Sequence, residues 1–283
     1  MKLSTVYHST IQLLFCSTLL ITSQTAGAHD RDSKGYLYDA FKTHGVTQNY
    51  INEITSLGYD DISDEMLLSF RIHNVTAEYI ADIKQAGFYN ISADKLLAFR
   101  IHNISSDYVA WFQNLPINMT GNSEEQMLGY AIHGVNQAYI EEMNNANLAN
   151  LDADDYLAMR VHNVTSESVQ SYRNKEFNVI DADDILMLHV FNINDSDIAL
   201  MKQFNLWTAE VNEVVALKIL ELDQSLIDEV KALNLNTLDL ARFIAKRTGS
   251  GNSKEWRFSD LSMKNAFMRV LHRIQDLSQT NEI

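Results

Sequence analysis

A tripeptide returns along this chain on a nearly constant stride: His44-Gly45-Val46, His73-Asn74-Val75, His102-Asn103-Ile104, His133-Gly134-Val135 and His162-Asn163-Val164. The strides are 29, 29, 31 and 29 residues, and two further steps of 29 reach Phe191-Asn192-Ile193 and Leu220-Glu221-Leu222. Such self-similarity means that one small supersecondary unit is copied along the chain, and that each copy must bury its apolar face on the next.

Each copy carries two helix starts. Counting the His as first, the fourth position is Thr47, Thr76, Ser105, Asn136, Thr165, Asn194 and Asp223, all residues whose side-chain oxygen can accept from the free N–H groups of a first helical turn. Apolar residues follow at helical spacing, as in Tyr79-Ile80 with Ile83, which predicts a first helix of about eleven residues ending near Gly58 or Gly87. A second start falls at Ser63, Ser92, Ser123, Asp152 and Asp181, with acids in the first turn and Arg71, Arg100, Arg160, His189 and Lys218 near the end, the charge order the helix dipole favours. The Gly or Asn after each His is then the left-handed stop of that second helix. Small residues Ala98, Gly129, Ala158 and Ala216 share one position, where neighbouring helices can approach closely. The expected fold is all-α: a right-handed α-solenoid of about seven two-helix repeats over residues 29–247. A flexible linker at 248–258 leads to an amphipathic helix and tail at 259–283, whose apolar residues Phe267, Leu271 and Ile274 would cap the last repeat.

The N-terminus reads as a secretory signal peptide over residues 1–28: Lys2, a short apolar run from Ile11 to Ile21, and small residues before an expected cleavage after Ala28. That run is too short for a comfortable membrane span, and the mature chain has no later one. Cys16, the only cysteine, lies in this leader, so the mature protein would carry no disulfide, and Leu14-Phe15 before it make a poor lipid-anchor site. The expected destination is the periplasm or the exterior. Net charge is −15, and losing Lys2 with the leader makes it −16. That acidity argues against nucleic acid and anionic lipid as partners and favours a basic one.

Most candidate chemical motifs are products of the repeat. Equivalent histidines at His44, His73, His102, His133 and His162 sit about one helix diameter apart, roughly 10 Å, too far to share a zinc ion whose ligands lie about 2 Å from it. They are expected to be structural, with rings packed between repeats and ring nitrogens on backbone carbonyls. The acidic runs at Asp152–Asp155, Asp181–Asp184 and Asn194–Asp197 lack the Gly and distal Glu of an EF-hand and fall where helix capping requires acids. The Asn-x-Ser/Thr triplets at Asn74, Asn90, Asn103, Asn163 and Asn194 arise because an Asn stop is followed two residues later by a Ser or Thr cap, so they are weak evidence for glycosylation. There is no nucleophile elbow, phosphate loop or His-Glu-x-x-His, and no cofactor is expected.

The third repeat departs from the pattern. It carries the two-residue insertion and the only proline, in Asn114-Leu115-Pro116-Ile117-Asn118-Met119, and Trp111 stands where other repeats have Glu53, Asp82, Glu142 and Glu229. A loop and an aromatic at a normally acidic, water-facing position make Trp111, Leu115, Pro116, Ile117 and Met119 the candidate binding residues; the competing reading folds Trp111 under the loop as local core.

Segments such as Leu96-Leu97-Ala98-Phe99-Arg100-Ile101-His102-Asn103-Ile104 and Arg71-Ile72-His73-Asn74-Val75-Thr76-Ala77-Glu78-Tyr79-Ile80 resemble the helical repeats that accompany the membrane zinc peptidase domain in bacterial sensors of the beta-lactam-sensor type. The resemblance covers roughly residues 34 to 247. The peptidase helices and zinc motif are missing, so what it implies is an exported bacterial interaction or sensing module without proteolysis. The expected function is a non-enzymatic α-solenoid that binds a protein or peptide, with a role in regulating an envelope or extracellular process. The alternatives are a hydrolase-like enzyme with its site in the third repeat, and a binding module dependent on a divalent cation.

Overall fold

The computed structural model describes residues 33–119, 123–148, 150–178, 180–249 and 261–277. The expected leader and most of the expected linker lie outside them. The described residues form helices α1 (Ser33–His44), α2 (Gln48–Ser56), α3 (Asp64–Ile72), α4 (Ala77–Gln85), α5 (Ala93–Ile101), α6 (Ser106–Gln113), α7 (Ser123–His133) and α8 (Gln137–Asn145). Then follow α9 (Ala153–Val161), α10 (Ser166–Arg173), α11 (Ala182–Val190), α12 (Asp195–Gln203), α13 (Val211–Ile219), α14 (Gln224–Lys231), α15 (Leu240–Arg247) and α16 (Leu261–Asp276), with a 3-10 turn at Leu235–Thr237. No strand occurs among the described residues beyond one isolated bridge, Asn118 to Asp152. The protein is a helical-repeat fold of the α-solenoid class, two helices per repeat.

The cap residues set the register. The first helix of every repeat begins one residue after its predicted cap, and Thr47, Thr76, Ser105, Thr165 and Asp223 each accept from a backbone N–H three residues on, at 2.7–3.2 Å. Ser63, Ser92, Asp152 and Asp181 do the same for the second helix. At Ser123 the helix begins on the Ser itself, after the insertion. First helices run to eight or nine residues rather than eleven, because the caps and stops leave no room for a third full turn.

Second helices end on a common device. The residue after the His takes a left-handed backbone, with φ between 49° and 70° at Gly45, Asn74, Asn103, Gly134, Asn163, Asn192 and Glu221. The next residue then donates back to a carbonyl five positions earlier, as Val75 N to Phe70 O at 2.7 Å and Ile104 N to Phe99 O at 2.8 Å. Those donors, Val75, Ile104, Val135, Val164, Ile193 and Leu222, are all buried, so the turn also pins an apolar residue between helices.

The chain divides into two compact units, one running to Gln137 and including Asp152–Leu157, the other formed by Ala138–Leu151 and the residues from Ala158 onward. In the first, second helices stack on second helices (α1 on α3, α3 on α5) and first on first (α4 on α6). Phe70, Ile80, Ile83, Leu96, Phe99, Phe112 and Tyr130 fill its core. At the small-residue position Gly129 a Cβ would lie 2.8 Å from Leu157 Cδ2, which explains the glycine there. In the second unit α11 stacks on α13, and α16 covers α13 and α14, burying Phe267, Val270, Leu271 and Ile274. The capping role expected of the C-terminal helix is therefore realised.

Candidate functional site

Three repeats share one side-chain arrangement. The sixth residue after each conserved turn begins is Tyr50, Tyr79 or Tyr139; its hydroxyl donates to the carbonyl of Val75, Ile104 or Val164 in the following repeat, at 2.7, 2.8 and 3.0 Å. Over each ring sits an arginine from the second helix of the same repeat, with the Arg71, Arg100 and Arg160 guanidinium carbons 5.1, 4.8 and 4.8 Å from the ring centroids. Arg71 also donates from Nε to the His44 carbonyl at 3.2 Å, tying a helix end to the next repeat. Burial raises the Tyr50 hydroxyl to about 12, against a smaller lowering by Arg71, so it stays a neutral donor.

The third repeat breaks this arrangement. Tyr108 occupies the tyrosine position, but the arginine position is Ala131. The Tyr108 hydroxyl is buried without a hydrogen-bond partner among the described residues, and burial pushes it well above the ordinary phenol range. Its ring instead meets Trp111, one helical turn on, with centroids 5.1 Å apart and planes inclined at 54°. Trp111 is half-buried and donates from Nε1 to Gln137 Oε1 at 3.2 Å. Glu142 occupies the matching position of the next repeat and accepts from the Ser166 backbone N–H at 2.8 Å. An indole can only donate. Trp111 therefore replaces an acidic contact to a helix start with an amphipathic ring bound to a glutamine amide, and it is neither wholly in water nor folded away as core.

The insertion places the other predicted residues unevenly. Leu115 is buried and belongs to the local core rather than to an open surface. Pro116 is exposed, and Ile117 and Met119 are half-buried. Between the last two, Asn118 accepts from the Ala153 N–H at 3.0 Å, so the longer loop is laid against the start of α9. Trp111, Ile117 and Met119 thus remain partly accessible beside exposed Pro116.

The histidines cap the ends of second helices, as at His73 and His102. The packing expected of their rings is not uniform: His44 and His73 are exposed, whereas His102, His133 and His162 are half-buried, and desolvation lowers the pKa of these three. The work of holding the preceding carbonyl falls to Arg71, two residues before His73, which can reach it with a longer side chain. The acidic helix starts form capping boxes, Asp181 with Asp184 and Asn194 with Asp197. Among the described residues no group of three or more His, Cys, Asp or Glu side chains is placed to hold a metal ion.

Sequence reasoning singled out Trp111 but missed Tyr108 and Ala131. The signal was present as the one second helix without a basic residue two positions before its His. Its meaning depends on knowing that this residue stacks on a tyrosine about 21 residues earlier, as Arg71 does on Tyr50. No helix of the described residues is long and apolar enough to cross a membrane. No protein-family model, curated protein or solved structure matches the chain.

Proposed function

We propose that the chain is an exported, non-enzymatic binding module that takes a basic protein or peptide on its third repeat. The observation that carries this is the Tyr108–Trp111 pair, an aromatic surface stripped of the arginine that covers its counterparts in three other repeats. A cationic side chain of the partner supplies the charge that Ala131 does not, and the net charge of −15 steers such a partner in. Further support comes from Ile72, Ile101 and Ile132, which occupy one position in three successive repeats and are 49, 43 and 39% exposed. Apolar side chains spaced by a helix-packing distance, roughly 10 Å, suit an extended or helical segment lying across several repeats.

Titration with arginine-containing peptides, followed by calorimetry at low ionic strength, tests the proposal. Trp111→Ala is expected to weaken binding at least tenfold while moving stability by about 1 kcal/mol or less. Ala131→Arg, which restores the internal cation, is expected to weaken it as much while leaving the fold intact. Unchanged affinity in both variants would remove the third repeat from consideration. The export part rests on the leader and is tested by intact-mass measurement of the secreted protein, expected to begin at His29.

A further inference from the structure

We infer that the sixth repeat holds a second, independent ligand site: a cleft of about 360 Å³ that takes a phenolic ring. It is lined by Asp197, Leu200, Met201, Leu217, Lys218 and Leu222, with Glu221 and Asp223 also contributing. Asp197 occupies the position of Tyr50, Tyr79 and Tyr139, Lys218 that of the covering arginine, and Leu222 that of the accepting residue Val75, Ile104 or Val164. The cleft is therefore the slot that a tyrosine ring fills in other repeats.

Each part of that slot keeps the character the ring requires. Leu217 and Leu222 are buried and Met201 is 2% exposed, giving the apolar wall. The Leu222 carbonyl receives no hydrogen bond from any donor among the described residues, whereas those of Val75, Ile104 and Val164 each take one from a tyrosine hydroxyl. Lys218 Nζ is held 2.7 Å from Asp197 Oδ1, both residues being part of the lining. A lysine can also cover a phenol face, as Lys84 does over Tyr59 at 5.0 Å. In the fifth repeat Ser168 stands at the tyrosine position, and Tyr172, four residues on, donates its hydroxyl to the Leu188 carbonyl at 3.2 Å rather than to that of Ile193, the counterpart of Leu222. The corresponding residue in the sixth repeat is Met201, which cannot donate. A cavity of this size, lined by apolar side chains together with Lys218 and the carboxylates of Asp197, Glu221 and Asp223, has the make-up of a small-molecule site.

The ring can be that of a free phenol or of a tyrosine in a peptide, and two probes separate these. Titration of the full mature chain with 4-ethylphenol and with N-acetyl-tyrosinamide, read from the methyl NMR signals of Met201, is expected to show saturable shifts. The tighter of the two identifies the source. Ethylbenzene, which lacks the hydroxyl, is expected to bind at least fivefold more weakly than 4-ethylphenol. Asp197→Tyr fills the slot from within, and is expected to abolish the Met201 shifts and raise the melting temperature. Asp197→Ala keeps the cleft open and should retain binding, so a folding failure of the tyrosine variant leaves the test intact. Absence of saturable shifts in the unaltered protein, equal binding of ethylbenzene, or loss of 4-ethylphenol binding in Asp197→Ala would overturn the inference. Trp111→Ala should leave these titrations unchanged.

Discussion

Tyr79 and Tyr108 occupy one position in adjacent repeats, yet removing their hydroxyls should have opposite effects. Tyr79→Phe orphans the Ile104 carbonyl, a buried acceptor, and is expected to cost about 1 to 2 kcal/mol in urea unfolding. Tyr108→Phe removes a buried hydroxyl that has no partner among the described residues, and should be neutral or stabilise by up to about 1 kcal/mol. Equal losses in both would mean that Tyr108 is bonded in solution. Asp184 offers a test of a different kind. Burial, reinforced by the Asp181 charge, raises its carboxyl from 3.8 to about 6. Between pH 4 and 6 the folded protein therefore holds a proton that the unfolded chain has released, so this group's contribution to stability falls as pH rises through that window. Asp184→Asn should stabilise by about 1 kcal/mol at pH 7, a figure reduced for partial exposure, and by nothing measurable near pH 3.5. A gain independent of pH would place the effect elsewhere.

At the scale of the helix, the most exacting contact is the seat of α16. Glu213, 5% exposed on α13, receives both Arg269 and Arg273 from the capping helix, and the Thr208 hydroxyl lies 3.2 Å from its second oxygen. Gln275 adds hydrogen bonds to the Val230 and Leu233 carbonyls at 3.1 and 2.8 Å. Removing this buried carboxylate leaves two guanidiniums that are 53 and 31% exposed and so solvated, which limits the cost to about 1 to 3 kcal/mol. Glu213→Ala is expected to release α16, seen as loss of amide protection over residues 261–277 before global unfolding; retained protection would mean that apolar contacts alone seat the helix. Helices were the most legible part of the sequence, because their starts and stops depend on residues within one turn: Thr76 caps α4 and Asn74 ends α3 with no help from elsewhere. The apolar face of α16 was legible for the same reason, but its clamp on Glu213 was not, since that contact spans 56 residues. The candidate sites follow the same division. Trp111 stood out as a local exception, whereas the bare ring of Tyr108 and the slot at Asp197 exist only once one repeat is laid on the next.

Across the whole molecule, repetition makes the contacts local. Tyr50 reaches 25 residues ahead, Lys84 reaches 27 back to the Leu57 carbonyl at 2.5 Å, and Arg173 reaches 26 back to the Asn147 carbonyl at 2.5 Å. Each spans about one repeat, the seat of α16 on Glu213 being the longer-range exception, so stability in the repeats is a sum of repeat and nearest-neighbour terms rather than the property of one shared core. The division into two compact units is consistent with that, since each has apolar residues enough for its own interior. Such a chain should not unfold in a single step. Phe99→Ala, at a position with no exposed surface in the second repeat, is expected to cost about 3 to 5 kcal/mol locally. Native-state hydrogen exchange should then show lowered protection in α3 to α6 and unaltered protection in α13 to α16. A uniform fall across both compact units would instead mean that the repeats unfold as one cooperative body, and that ligands on the third and sixth repeats must be energetically coupled.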